Sequence, residues 1–283
     1  MNPRYPVFIP TKGRWESRLT IRALEKIGVP YTAFVEAQEY DNYAAVIDPK
    51  NIHVLPHSNQ GLVVTRNYIW DYALSLGTPR FWTMDDNIKA FFRWNHNLKV
   101  PVTTGSFLCA MEDFTERYVN VPVAGMNYFM FIKRKAKDNP IRLNTRVYSN
   151  MLIETDARDP RGKPYRNEGF YNDDTDLCLR MLKDGFCTIL FNAFLIEKAV
   201  TMTVKGGMTP HYQGDGRLKM AEELRQKHPD VTTITYKWGR WQHQVDYRPF
   251  KNNRLIRKPG VEIPQGVNEY GMRLVHLDDG GKA

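Results

Sequence analysis

The sequence predicts an α/β domain, a mixed and mostly parallel sheet with flanking helices, followed by a basic, aromatic C-terminal extension. Two observations lead there. Across residues 1–90, short apolar runs alternate with segments of helical period, the pattern of right-handed βαβ units. Beyond residue 230 the chain turns aromatic, basic and irregular, with no internal repeat anywhere and no linker before it. The expected division is a domain over residues 1–229 and an extension over 230–283 that packs on it.

Val7-Phe8-Ile9 reads as a buried strand closed by Pro10. A helix follows in which Leu19, Ala23, Leu24 and Ile27 share a face, stopped by Gly28 and Pro30. Tyr31 to Val35 is the second strand, and a short amphipathic stretch surrounds Tyr40, Ala44 and Ile47. Ile52 to Leu55 is the third strand, Val64 to Leu76 a helix ended by Gly77 and Pro79, and Phe81 to Met84 the fourth strand. Later come a helix marked by Phe107, Leu108, Met111, Phe114 and Tyr118, and strands over Val123–Ile132 and Val147–Ile153. A helix from Asp174 to Lys183, a strand from Cys187 to Phe194 and a helix from about Leu218 to Lys227 complete the domain.

Composition narrows the class. The chain has 283 residues, 42% of them hydrophobic, enough for a sizeable core. No apolar run approaches the ~20 residues of a membrane span. Met1-Asn2-Pro3-Arg4 does not open a signal peptide, so a cytoplasmic protein is expected. Cys109, Cys178 and Cys187 are too widely spaced for a disulfide framework or a zinc knuckle and are expected as free thiols. The net charge of +9 favours anionic partners. It is concentrated in residues 133–146, which hold Lys133, Arg134, Lys135, Lys137, Arg142 and Arg146, and in 231–258, which hold Lys237, Arg240, Arg248, Lys251, Arg254, Arg257 and Lys258.

Ligands of parallel sheets sit at the carboxyl ends of the strands, where three polar clusters of the first half fall: Thr11-Lys12-Gly13-Arg14, Glu36 and Asp85-Asp86-Asn87. Thr11-Lys12-Gly13-Arg14 leaves the first strand with cations suited to a nucleotide, yet without the patterns of a P-loop or a dinucleotide fold. Gly61 opens a helix that carries Arg66 and Asn67 early. Asp85-Asp86-Asn87 can converge on a hard divalent cation, although the same residue types also make turns and caps. Asp173, Asp174 and Asp176 open another helix; caps and the helix dipole account for one or two of them, and mutual repulsion raises a carboxyl pKa in the way a general base needs. Lys205-Gly206-Gly207 permits close approach of backbone to phosphate, with His211 nearby as a possible metal ligand.

In this order, with Glu36 after the second strand, the clusters resemble the GT-A class of nucleotide-sugar glycosyltransferases, and within it the phage TET-associated glycosyltransferases. The resemblance covers about residues 5–215, with Asp85-Asp86-Asn87 as a D-x-D variant and Asn172-Asp173-Asp174-Thr175-Asp176-Leu177 matching a Glu-Asp-x-Asp-Leu pattern. It implies a UDP-sugar donor held by Thr11, Lys12, Gly13, Arg14, Glu36, Arg66, Asn67, Asp85 and Asp86, with Lys205, Gly206 and Gly207 near its phosphates. It implies Mn2+ or Mg2+ on Asp85, Asn87 and His211, Asp174 as general base, and Asp173 or Asp176 on sugar hydroxyls. The implied acceptor is DNA containing 5-hydroxymethylcytosine, which places the protein in a host cytoplasm if phage-encoded. Lys237, Trp238, Arg240, Trp241, Arg254, Arg257 and Lys258 are the expected DNA contacts, cations on phosphates and rings on an extruded base. Competing readings are a protein or polysaccharide acceptor, a nucleotidyltransferase, and a nucleic-acid-binding module with a degenerate site.

Overall fold

The computed structural model describes residues 1–133, 139–199, 206–207, 214–261 and 266–267. The first half runs β1 (Val7–Pro10), α1 (Leu19–Lys26), β2 (Thr32–Glu36), α2 (Tyr40–Ala44), β3 (Ile52–Leu55), α3 (Leu62–Ser75) and β4 (Arg80–Met84). The second half runs β5 (Ile88–Asn95), β6 (Leu98–Pro101), α4 (Ser106–Glu116), β7 (Val123–Tyr128), β8 (Ile141–Leu143), β9 (Asn150–Glu154), α5 (Asp173–Lys183), β10 (Thr188–Lys198), α6 (Gly216–Lys227), β11 (Thr232–Lys237) and β12 (Arg240–Val245). One ten-stranded sheet has the order β3-β2-β1-β4-β9-β7-β10-β5-β6, with β8 beside β10. The pairings leave seven of its strands running one way, with β5, β8 and β9 opposed.

Alternation along the strands sorts side chains into two cores, because successive Cβ atoms point to opposite faces. Val7, Ile9, Ala33, Val35, Trp82 and Met84 join α1 and α4 on one face, through Ile21, Leu24, Leu108 and Met111. Phe8, Phe34, Phe81, Met151 and Ile153 join α3 and α5 on the other, through Ile69, Trp70, Leu177 and Met181. Each such side chain contributes about 1.5–3 kcal/mol. Trp82 donates its indole N–H to buried Glu112 at 2.8 Å, so the core aromatic leaves no polar atom stranded. The three cysteines are free and buried, as expected. Among the described residues no helix is long and apolar enough to cross a membrane.

Two hairpins escape the sequence reading. β5 and β6 form one at the sheet edge, joined by His96 and Asn97, both at positive φ. The other corrects the expectation of an irregular tail: β11 and β12 pair over six registers around Trp238 and Gly239, at φ 53° and 70°. Two positive-φ residues are what a tight hairpin turn requires. Trp238 therefore stands at the tip, 82% exposed, and does not cover the core.

The root of this hairpin is fixed. Leu179 and Leu182 of α5, Leu224 of α6, Val231 and Phe250 form a third, small core. Beside it, Asp176 is 1% exposed and is held by His228 Nε2 at 3.0 Å, Arg180 Nε at 3.0 Å and Lys227 Nζ at 3.5 Å. Asp176→Asn leaves Arg180 and Lys227 facing a neutral amide. It is expected to destabilise the fold by about 3 kcal/mol in urea denaturation; an unchanged midpoint would show the cluster to be dispensable.

Candidate functional site

The carboxyl ends of β1, β2, β4 and β7 open onto a cavity of about 1190 Å³, which exceeds the ~300–1,000 Å³ of most small-ligand pockets and leaves room for two reactants. β9 runs the opposite way, so its leading residues, Arg146, Tyr148 and Ser149, reach the same end. The α5 N-terminus forms another wall, and β11–β12 overhangs the mouth with Lys237, Trp238 and Arg240.

The inner floor is a network of opposite charges. Arg66 lies on the inward face of α3 with Thr65, Ile69, Trp70 and Ala73. Its buried guanidinium gives one nitrogen to Asp173 at 2.6 Å and the other to Asp85 at 2.8 Å. Lys198, the last residue of β10, takes the second oxygen of Asp85 at 2.6 Å and accepts support from Ser149 by donating to its Oγ at 2.7 Å. Burial alone would raise the Asp85 pKa, but Lys198 and Arg66 outweigh it and hold the carboxylate ionised, well below the usual range. Asp86 is bound by the Arg14 guanidinium and by the Thr11 hydroxyl at 3.0 Å; burial dominates there and its pKa is raised.

Asp174 differs from its neighbours. Thr175 is its only hydrogen-bond partner among the described residues, through the backbone N–H at 2.7 Å and the hydroxyl at 3.3 Å. Burial, then the charge of Asp173, push its pKa up to about 6, against the pull of Arg66. It is a carboxyl on the cavity wall, and no cation among the described residues is clamped to it.

At the outer end, Glu36 accepts from Lys12 Nζ at 2.9 Å and from the Asn59 N–H at 2.9 Å; burial raises its pKa, and these bonds more than offset that. The Gly13 N–H donates to Glu39, which stiffens the loop after β1. Gly206 sits at φ 83° with its α-carbon against the Lys12 and Gly13 carbonyls, 2.5 and 2.6 Å from where a Cβ would be, and the Gly207 N–H donates to the Lys12 carbonyl at 3.0 Å. The two segments predicted to face phosphate thus pack on each other. Lys205 and His211, with residues 134–138 of the first basic segment, lie outside the described residues.

Thr11, Lys12, Arg14, Glu36, Arg66, Asp85, Asp86, Asn87, Asp173, Asp174, Gly207, Lys237, Trp238 and Arg240 all line the one cavity. Others are elsewhere. Asn67 is spent on Asn167, donating to its carbonyl at 3.0 Å and accepting from its N–H at 2.9 Å. Asp176 points to the hairpin root, away from the cavity. Trp241 packs edge-on against Tyr236 on the outer face of the hairpin. Arg254, Arg257 and Lys258 belong to a segment that hydrogen-bonds to residues 117–120, the approach to the amino end of β7. That is the opposite end of the sheet from the cavity.

The sequence reading missed Lys198, Tyr128, Tyr148 and Phe131, and named Arg146 only as part of the first basic segment. Tyr128 stacks on Phe131 with centroids 5.4 Å apart and meets Tyr148 edge-on at 4.6 Å, while Arg146 lies over the Tyr148 ring at 4.8 Å. His243 of β12 faces Arg146, and burial with that charge lowers its pKa to about 4, so the imidazole is neutral at physiological pH.

No curated protein matches the chain. A solved protein from Desulfovibrio desulfuricans G20, assigned as a nucleotide-diphospho-sugar transferase, superposes with a TM-score of 0.41 at 10% identity, over 67% of this chain and 80% of that one. The profile of the TET-associated glycosyltransferases matches residues 5–207. A match over that much of a 283-residue chain settles the family: the protein belongs to the TET-associated glycosyltransferases.

Proposed function

We propose that the protein transfers glucose or N-acetylglucosamine from a UDP-sugar to the hydroxyl of 5-hydroxymethylcytosine in DNA, inverting the anomeric centre with Asp174 as general base. One observation carries the reading: Asp174 is a carboxyl poised near 6, bonded only to Thr175 among the described residues, beside carboxylates that are each clamped by cations. An alcohol is a weak nucleophile, and such a base takes its proton as the new bond forms. The acceptor oxygen bonds to the anomeric carbon, the carbon–oxygen bond to the diphosphate breaks, and the electron pair leaves with UDP. The outer loop of Lys12, Glu36 and Asn59 supplies polar partners for the nucleoside.

The resemblance also implies Mn2+ or Mg2+. The described donor set does not suit such an ion. Both oxygens of Asp85 face cations, both oxygens of Asp86 are engaged by Arg14 and Thr11, and within Asp85-Asp86-Asn87 only Asn87 offers a buried oxygen without a partner among the described residues. A hard divalent ion prefers about six oxygen ligands and no adjacent fixed cations.

DNA as acceptor is supported by the family and by the hairpin, whose Lys237, Arg240 and Trp238 border the mouth. The cations suit phosphates, and Trp238 and Phe131 offer rings to an extruded base.

Two outcomes test this. Transfer from UDP-glucose or UDP-GlcNAc to hydroxymethylated duplex DNA, read by nucleoside mass spectrometry, should rise with pH through about 6 as Asp174 ionises and then level off. Asp174→Asn should lower it by ~10²–10⁴-fold with UDP binding retained; a variant within a few-fold of the native rate removes Asp174 from the chemistry. For the hairpin, Lys237→Gln with Arg240→Gln should weaken DNA binding and flatten the dependence of log K on log salt by about 0.9 per lost phosphate contact. Arg254→Gln with Arg257→Gln, at the far end of the sheet, should leave affinity and slope in place. The reverse pattern would move the DNA track to the far end.

A further inference from the structure

We propose that Lys198, with Arg66 behind it, is the cation that receives the charge of the leaving diphosphate, so that transfer proceeds without a divalent metal ion. The inference rests on the nucleotide-sugar reading above and goes beyond it by naming the electrophilic partner of the leaving group.

The placement of Lys198 is specific. Along β10, Glu197 pairs with Ala90 of β5 but Lys198 pairs with Ile88, so the register slips by one residue between them. The extra residue, Lys89, is on β5, and β10, parallel to β7, runs past it to its carboxyl end at the cavity. There the ammonium group of Lys198 lies on the cavity floor, between Asp85 and Ser149 and 3.5 Å from the Tyr128 hydroxyl. An ammonium has three donors: two go to Asp85 and Ser149, and the third, which makes only a long 3.5 Å contact to the Tyr128 hydroxyl, can turn to an incoming phosphate oxygen.

The contacts of Asp85 point the same way: a divalent ion on that carboxylate would have to displace both Lys198 and Arg66.

In the transfer step the electron pair of the breaking carbon–oxygen bond ends on the diphosphate, where Lys198 donates a hydrogen bond to the developing charge. The acceptor proton goes to Asp174. No oxidant, reductant or further reactant is required.

The test is UDP binding to the full chain by isothermal titration calorimetry, in EDTA and in Mn2+, for the native protein, Lys198→Arg and Lys198→Met. The native protein should bind UDP in EDTA, with less than a threefold gain in Mn2+. Lys198→Met should lose about 10–100-fold in both buffers, the loss of one charged hydrogen bond, and Lys198→Arg should retain most of the affinity. UDP binding that requires Mn2+ overturns the inference and leaves the nucleotide-sugar reading standing. So does a folded Lys198→Met that binds UDP in EDTA as the native protein does. Absence of UDP binding in either buffer overturns both. The comparison of buffers uses the native protein alone, so the inference stays testable if Lys198→Met does not fold.

Discussion

The buried guanidinium of Arg66 is the contact on which the floor of the cavity depends. It spans the end of β4 and the start of α5, elements that approach one another only because α3 and α5 pack on the same face of the sheet. Asp85, Asp173 and Asp174 are brought close enough there to repel one another. A rigid, permanently charged fork is suited to holding two carboxylates at once in a way a flexible ammonium is not. Removing one partner from such a cluster costs far more than assembling it gains, so the arrangement is better understood as fixing positions than as adding stability.

The first turn of α5 then does three things with three similar side chains. Successive residues on a helix point about 100° apart. Asp173 consequently meets Arg66, Asp174 meets the cavity, and Asp176 meets His228 and Arg180 on the far side. Environment, not residue type, separates their chemistry: the paired carboxylates are locked, and the one left facing the cavity stays basic near neutral pH.

Much of the fold was legible because βαβ units are local. The strand at Ile52–Leu55 falls where the apolar run ends at Pro56, and the glycine stops of α1 and α3 fall within a few residues of Gly28 and Gly77. The hairpins were not legible, since β5 alternates poorly and β11–β12 has polar residues on both faces. In the site, residues at strand ends could be read from their strands, as Asp85 and Thr11 were. Lys198 could not, because the expected strand stops at Phe194, four residues short of where β10 ends. Asp176 could not be told from Asp174, since its partner His228 lies 52 residues away. The tail's cations looked like one patch, but Phe250, buried in the small third core, separates the hairpin from the segment that runs along the amino end of β7.

The anchor at the hairpin root has a mechanical consequence. His228 lies four residues before β11 begins, and the carboxylate it grips is two residues after Asp174 in the same helical turn. The hairpin at the mouth and the carboxyl on the wall are therefore mounted on one bracket. A load applied at the Trp238 tip reaches α5 through a short, buried, charged joint instead of through loose chain, so any tilt of the hairpin either strains that joint or carries Asp174 along with it.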